Sequence, residues 1–494
     1  MAAVSAPPGR GGREAERIVV MQSRFLQEHK EALRLLLGRL SREYRYVSIL
    51  ATDVGGTRYQ VQKQESSVED SFWTERGFVV RVHNGFGYSE YSANRLPGPT
   101  TAEREAWAQE LTVSVDAVVQ AAKSSGRSGR KTPLIEEEAL TAVYGDTGHS
   151  PETDCEAVIR RLTQLKDRAV ILSAPLVDIR VVYEEVRVCK LFLSAKRDLE
   201  QSYRWSQGYL VPIYRRGEVT RYYLQSFSGL KGEELIGEME NSLENTLETG
   251  ALLLDAVQVE PGEYEVILSP EVAGLVAHEA FGHGVETDMF VKKRARAREY
   301  LGKAVASPGV TMHDGARAAG EVASYFFDDE GTPGQDTVII RKGLLEQGIS
   351  DLLSALKLGL PPTGNGRRES FERKAYARMT NTFFASGTDR LEEMIASCRH
   401  GYLLEKYTSG MEDPKNWGIQ CVILLGREIR EGKLTDKVVS PVIMTGYVPD
   451  LLRSISMVSG DLQLKGSGMC GKGYKEYAKT STGGPYLKAK ARLG

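Results

Sequence analysis

The chain has 494 residues, 41% hydrophobic and 26% charged, with a formal net charge of −2. That balance is globular rather than disordered, exceeds one ordinary domain and excludes a global attraction for nucleic acid. No run approaches the ~20 apolar residues that span a bilayer. The five cysteines, odd in number and scattered, fit a reducing compartment, so the expectation is a cytoplasmic protein.

Residues 1–14 lack the apolar core of a signal peptide and read as a disordered arm. Residues 15–45 have helical periodicity, and strands follow through 46–93. Thr100 and Glu103 form a capping box that opens a helix, ending at the Ser/Gly/Arg-rich break at 124–131. Ser150-Pro151 opens another helix, whose buried stripe takes Cys155, Val158, Ile159 and Leu162. Strands fill 169–228, and a long helix is expected over Leu235–Ala256. The expected fold class is α+β: an N-terminal α/β sandwich-like domain over 15–230, then a mostly antiparallel-β domain over 231–494.

Glu263–Leu268 alternates as a half-buried strand does. Ser269 then offers an N-cap hydroxyl, Pro270 fits the first helical position and Glu271 suits the positive end of the dipole. That helix runs into His278-Glu279-Ala280-Phe281-Gly282-His283. Two imidazoles beside a glutamate are what metal-assisted hydrolysis needs: a bound divalent ion, and a carboxylate to take a proton from its water. Histidines four apart lie about 40° from each other around an α-helix, but these are five apart, about 140°. One ion therefore requires a π-bulge or an early helix end near Gly282. The alternative is a buried Glu279–His283 pair with His278 at the surface.

The cysteines supply a possible third ligand. Cys155 and Cys398 share helical spacing with apolar neighbours, and Cys189 and Cys421 lie in strand-like apolar runs, so all four read as small core residues. Cys470 sits in the glycine-dense KGSGMCGKG. It is either an incidental loop thiol or the third member of a His2Cys set with one position open for water. Thiolate plus imidazole favours Zn2+, and Fe2+ is compatible. The basic run Lys292, Lys293, Arg294, Arg296 and Arg298 lacks interleaved aromatics and reads as a solvated face or subunit contact, so no direct nucleic-acid binding is expected. Asp328, Asp329 and Glu330 read as a hairpin turn with Gly331 and Pro333. Gly364, Asn365, Gly366 and Arg367 form a flexible polar loop that either cradles a peptide or carboxylate or is ordinary surface.

HEAFGHGVETD, DDEGTP at 328–333, PTGNGRRES at 362–370, RMTNT at 378–382, MVSGDL at 457–462 and CGKG at 470–473 together resemble the TldD/PmbA metalloproteases, in the order of that family. The resemblance implies a peptidase of small or unfolded peptides, with His278, His283 and Cys470 as metal ligands and Glu279 as general base. It also implies a dimer enclosing a cavity, either homomeric or with a related TldE/PmbA-type subunit. It favours the substrate-binding reading of Gly364–Arg367. This chain keeps the HExxxH residues, as the TldD-type subunit does. The tail after CGKG departs from the family's glycine- and valine-rich pattern, and the first half matches best at 76–92. The rival expectation is a non-catalytic scaffold or regulatory subunit whose metal only staples the fold.

Overall fold

The computed structural model describes residues 23–124, 131–145, 153–473 and 476–494. The expected arm, the first turns of the first helix, most of the 124–131 break and Ser150-Pro151 lie outside these residues. Among the described residues no helix is long and apolar enough to cross a membrane.

The first half is built on a nine-stranded sheet whose central path runs Tyr88–Ala93, Glu75–His83, Val47–Val61, Leu176–Ser194, Arg197–Arg216 and Leu140–Gly145. Pairing is antiparallel along that path except at its end, where Leu140–Gly145 runs parallel to Arg197–Arg216. Successive strand residues point to opposite faces, and here the two faces have different partners. Helices α1 (Arg24–Leu40) and α2 (Thr101–Ser124) pack with Ile49, Ala51, Phe78, Val80 and Leu191. Helices α3 (Cys155–Leu172) and α4 (Glu234–Ala251) pack with Tyr59, Val61, Val181 and Tyr183. The shared parity along Val47–Val61 and Leu176–Ser194 puts both helix pairs on one face. α4 follows the last strand of this sheet and packs back onto it, so the first hydrophobic unit extends past residue 230. Helix α3 starts later than Ser150-Pro151 suggested: Asp154 is its N-cap, accepting from Glu156 N and Ala157 N. Cys155 is consequently an exposed first-turn residue instead of a core one.

The opposite face supports the second half. Leu50, Phe192 and Leu199 meet Phe327, while Val54, Val186, Val188 and Trp205 meet Val322. The segment Asp328–Pro333 makes the expected tight turn, with Gly331 N bonded to Asp328 O at 3.0 Å, but its carboxylates are buried. Asp328 accepts from the amides of Glu330, Thr332 and Gly366. Asp329 pairs with Lys190, and Glu330 lies 2.6 Å from Arg81. Arg81 also meets Glu90 at 2.7 Å, and Glu90 meets Arg368 from the second half.

Burial raises the Glu90 carboxyl, but Arg81 and Arg368 outweigh it and hold the group down at about 2. A depressed folded pKa stabilises the native state above the unfolded value, and that contribution is lost as pH falls from about 4.5 towards 2. Roughly 3 kcal/mol is at stake. Acid titrations of unfolding should therefore show a shallower limb for Glu90→Gln, together with a lower melting temperature at pH 7. Superimposable acid limbs would show that this bridge contributes nothing to holding the halves together.

In the second half, Gly262–Leu268 pairs in parallel with His400–Asp413 and antiparallel with Leu487–Leu493. Together with Gly418–Arg430 and Val442–Tyr447 the hydrogen bonding closes on itself. The result is a five-stranded barrel, filled by Val266, Leu268, Leu404, Cys421, Ile423 and Met444. A six-stranded sheet lies beside it, containing Met312–Asp314, Asn381–Phe384 and Ser481–Gly484. Between them runs α5 (Pro270–Ala277), begun as expected: the Ser269 hydroxyl accepts from Val272 N and Pro270 occupies the first turn. Gly274 allows backbone contact, since a Cβ there would lie 2.4 Å from Gly483 N. The architecture is α+β.

Candidate metal centre

The last turn of α5 changes pitch. Residues His278–Gly282 form a π turn, in which His283 N donates to His278 O. A five-residue turn places residues i and i+5 on one side, which an α-helix does not. The two imidazoles accordingly face each other with ring centroids 5.1 Å apart and planes at 85°. The distorted residue is Phe281 (φ −129°, ψ 16°), whereas Gly282 keeps an ordinary φ of −79°. Glycine is needed at 282 because Met379 Sδ sits 2.1 Å from where a Cβ would be. His278 is only 8% exposed, so the alternative that leaves it at the surface does not hold.

Cys470 reaches the same point from the hairpin Met469–Lys472/Glu476–Lys479, where it pairs with Ala478. Its Sγ is 3.2 Å from His283 Nε2. Ligand atoms of His278, His283 and Cys470 all lie within 4.8 Å of one another. His278 Nδ1 is buried without a hydrogen-bond partner. An orphaned imidazole nitrogen beside a thiol and a second imidazole is a donor set that fits one divalent ion.

The electrostatics point the same way. Burial pushes the thiols of Cys189, Cys398 and Cys421 up, Cys398 to about 11. Burial also raises Cys470, yet His283 and His278 outweigh it and bring this thiol well below its usual range. His283 is lowered by burial and raised further by Cys470 and Glu286, ending well above the usual imidazole value. The pair thus holds a proton where a metal would replace it.

A surrounding layer orients these groups. Glu286 Oε2 lies 3.3 Å from His283 Nδ1 and 3.0 Å from Lys472 Nζ. Burial raises the Glu286 carboxyl, but Lys472 and His283 keep it ionised down to about 2. Lys472 also pairs with Asp288 at 2.6 Å. Arg378, 1% exposed, donates to the carbonyls of Cys470 and Glu476 and clamps both hairpin strands. Such partners fix the ring and thiol in place. None was singled out in the sequence, although Glu286, Arg378 and Lys472 fall inside the quoted motifs.

Glu279 projects beside the histidines against strand His400–Asp413. Gly410 makes room for it, as a Cβ at 410 would lie 2.7 Å from Glu279 Cγ. These residues line a cavity of about 710 Å3 that also takes in Met289, Lys292, Arg294, Met411, Glu412 and Met469. Lys292 and Arg294 of the basic run thus belong to a cavity wall, while Arg296 lies over the rings of Trp417, Tyr300 and Tyr447.

The loop at 364–367 is placed differently from expectation. Gly364 (φ +73°) is pressed against Pro333 O, and Gly366 N donates to Asp328. Asn365 is fully buried, donating to Asp314 Oδ1 and Arg378 O. Arg367 donates to the carbonyls of Met379 and Lys479 and lines a separate cavity of about 70 Å3 between the halves. In place of a flexible loop at the cavity round His278, the glycines let this segment knit buried strands together.

Residues 261–491 match the model of the PmbA/TldA metallopeptidase C-terminal domain. A metalloprotease TldD homolog of Buchnera aphidicola is 25% identical over 83% of this chain and 86% of its own length. A zinc metalloprotease TldD homolog of Saccharolobus solfataricus is 28% identical over 62% and 69%. The crystal structure of TldE from Thermococcus kodakarensis superposes with a TM-score of 0.72 at 16% identity, covering 94% of this chain and all of that one. At that identity the superposition speaks for the fold alone. Domain match, relatives spanning both halves and fold agree with the six ordered motifs: residues 261–491 belong to the PmbA/TldA metallopeptidase C-terminal domain family, and the chain as a whole is similar to TldD-type metalloproteases.

Proposed function

We propose that this chain is a metal-dependent peptidase that hydrolyses small or unfolded peptides. The observation behind this reading is the meeting of His278, His283 and Cys470 in a cavity that Glu279 shares. A divalent ion held by the two imidazoles and the thiolate would supply a Lewis acid for the scissile carbonyl and an acidified water. Glu279, itself outside the ligand set, takes a proton from the attacking water and returns it to the leaving amine. Soft thiolate ligation favours zinc, in keeping with the Saccharolobus relative's name.

An unfolded substrate is supported by the strand next to the site. Residues 407–413 pair with 418–423 on one side. On the other side pairing with Gly262–Leu268 ends at Leu404. Among the described residues that second edge has no strand partner where Gly410 and Met411 line the cavity. An extended peptide can bond to such an edge, whereas a folded protein has spent its backbone groups internally. The exposed Met411 and Met469 at the rim adapt to varied apolar side chains. A dimer, either of this chain or with a related subunit, belongs to the same reading, which the TldE structural neighbour prompts, and five free cysteines support a reducing compartment.

Zinc-loaded protein should digest a library of unstructured peptides, stop on chelation and leave a stably folded protein intact. A metal-loaded chain that cuts no peptide would instead be a scaffold whose ion is structural.

A further inference from the structure

Glu412 is a carboxylate of the metal cavity that hydrolysis by Glu279 does not use. It follows Gly410 by two residues on strand His400–Asp413, so both face the metal helix. Gly410 lies against Glu279, and a Cβ on Gly284 would lie 3.0 Å from Glu412 Oε1. Both Glu412 oxygens are buried and have no hydrogen-bond partner. Among the described residues no lysine, arginine or histidine forms a salt bridge with it. Two cations of the cavity are engaged elsewhere, Lys472 with Glu286 and Asp288 and Lys292 with Asp288, and Arg294, also on its wall, forms no salt bridge with Glu412. Nor is Glu412 one of the clustered ligand residues, which are His278, His283 and Cys470 alone among those described.

A buried carboxyl whose two oxygens lack any hydrogen-bond donor is costly unless something arrives to satisfy it. The cavity is where the peptide binds, on the reading given above. A peptide offers one group of matching chemistry, a primary ammonium, at its amino terminus or on lysine. The geometry points to Glu412 as the residue that binds the substrate's free amino terminus and so confines cleavage to the first residues of a peptide. The spacing fits, because two strand residues span ~7 Å, about the distance from an α-amine to the second peptide bond. Glu412 thus sets position by salt bridge, the methionines accept varied side chains and Glu279 does the proton transfer.

This inference rests on the peptidase reading, and a binding measurement separates the two. Three fluorescent peptides of one apolar sequence are titrated into the full-length zinc-loaded Glu279→Gln chain by anisotropy. One has a free amino terminus, one is acetylated there, and one is acetylated with an internal lysine. The free form should bind about 10–100-fold more tightly than the acetylated form, the range of a desolvated charged hydrogen bond. In a chain also carrying Glu412→Gln that ratio should fall to about one. If the lysine peptide matches the free one, the ammonium site stands, but the confinement to amino termini is overturned. Equal binding of all three with Glu412 in place overturns the proposal outright. Wild-type hydrolysis of the same peptides, measured in parallel, shows whether the peptidase reading survives that result.

Discussion

The Glu279→Gln chain should hydrolyse an unstructured peptide ~1,000-fold more slowly than the parent and retain its metal. The amide preserves shape but has no basic oxygen at neutral pH, and a positioned general base contributes 100–10,000-fold. Metal retention follows from the site: the ligand atoms that converge are those of His278, His283 and Cys470. The packing of Glu279 against Gly410 tolerates an isosteric amide. Steady-state rates and elemental analysis on one preparation test both halves of the expectation. Undiminished turnover would remove Glu279 from the chemistry, while lost metal would show that it helps to hold the ion.

The Cys470→Ser chain should lose metal affinity by at least ~100-fold, since a hydroxyl does not ionise to replace a thiolate as a zinc ligand. Cys398→Ser is the control. That thiol is buried among Ile267, Met394, Leu403 and Ile429, and burial raises its pKa to about 11, so it stays protonated. Metal content after dialysis should fall in the first variant and hold in the second. Equal retention in both would mean that the hairpin thiol is not a ligand.

Local chemistry was legible where it acts locally. Ser269 and Pro270 announce the start of α5, and the five-residue spacing of the histidines calls for a π-bulge or an early helix end, of which the structure has the π turn. The glycine-rich setting of Cys470 likewise marks it apart from the other thiols. What remained hidden depends on chain segments far apart. Arg378 holds Cys470 from 92 residues away, and no periodicity reports such a contact. Asn365 and Gly366 look like a flexible loop because their composition is polar. Their burial is decided by Asp314 and Asp328, remote carboxylates that accept their N–H groups. Cys155 was misread for a smaller reason: four residues of difference in the start of α3 move it from the buried stripe to the exposed first turn. Glu412 left no mark, as a glutamate on a strand ordinarily faces water.

The hairpin bearing Cys470 is anchored on the first half: Lys479 donates to Gln207, and Tyr209 donates to the carbonyl of Ser467. The histidines, in contrast, ride on α5 within the second half. Ion binding and the seating of one half on the other therefore share a free energy, and linkage makes that coupling reciprocal. Whatever loosens the long sheet from the hairpin weakens the grip on the ion by the same amount that the ion resists the loosening. Occupancy of the centre is thus a gauge of tertiary assembly across the whole chain.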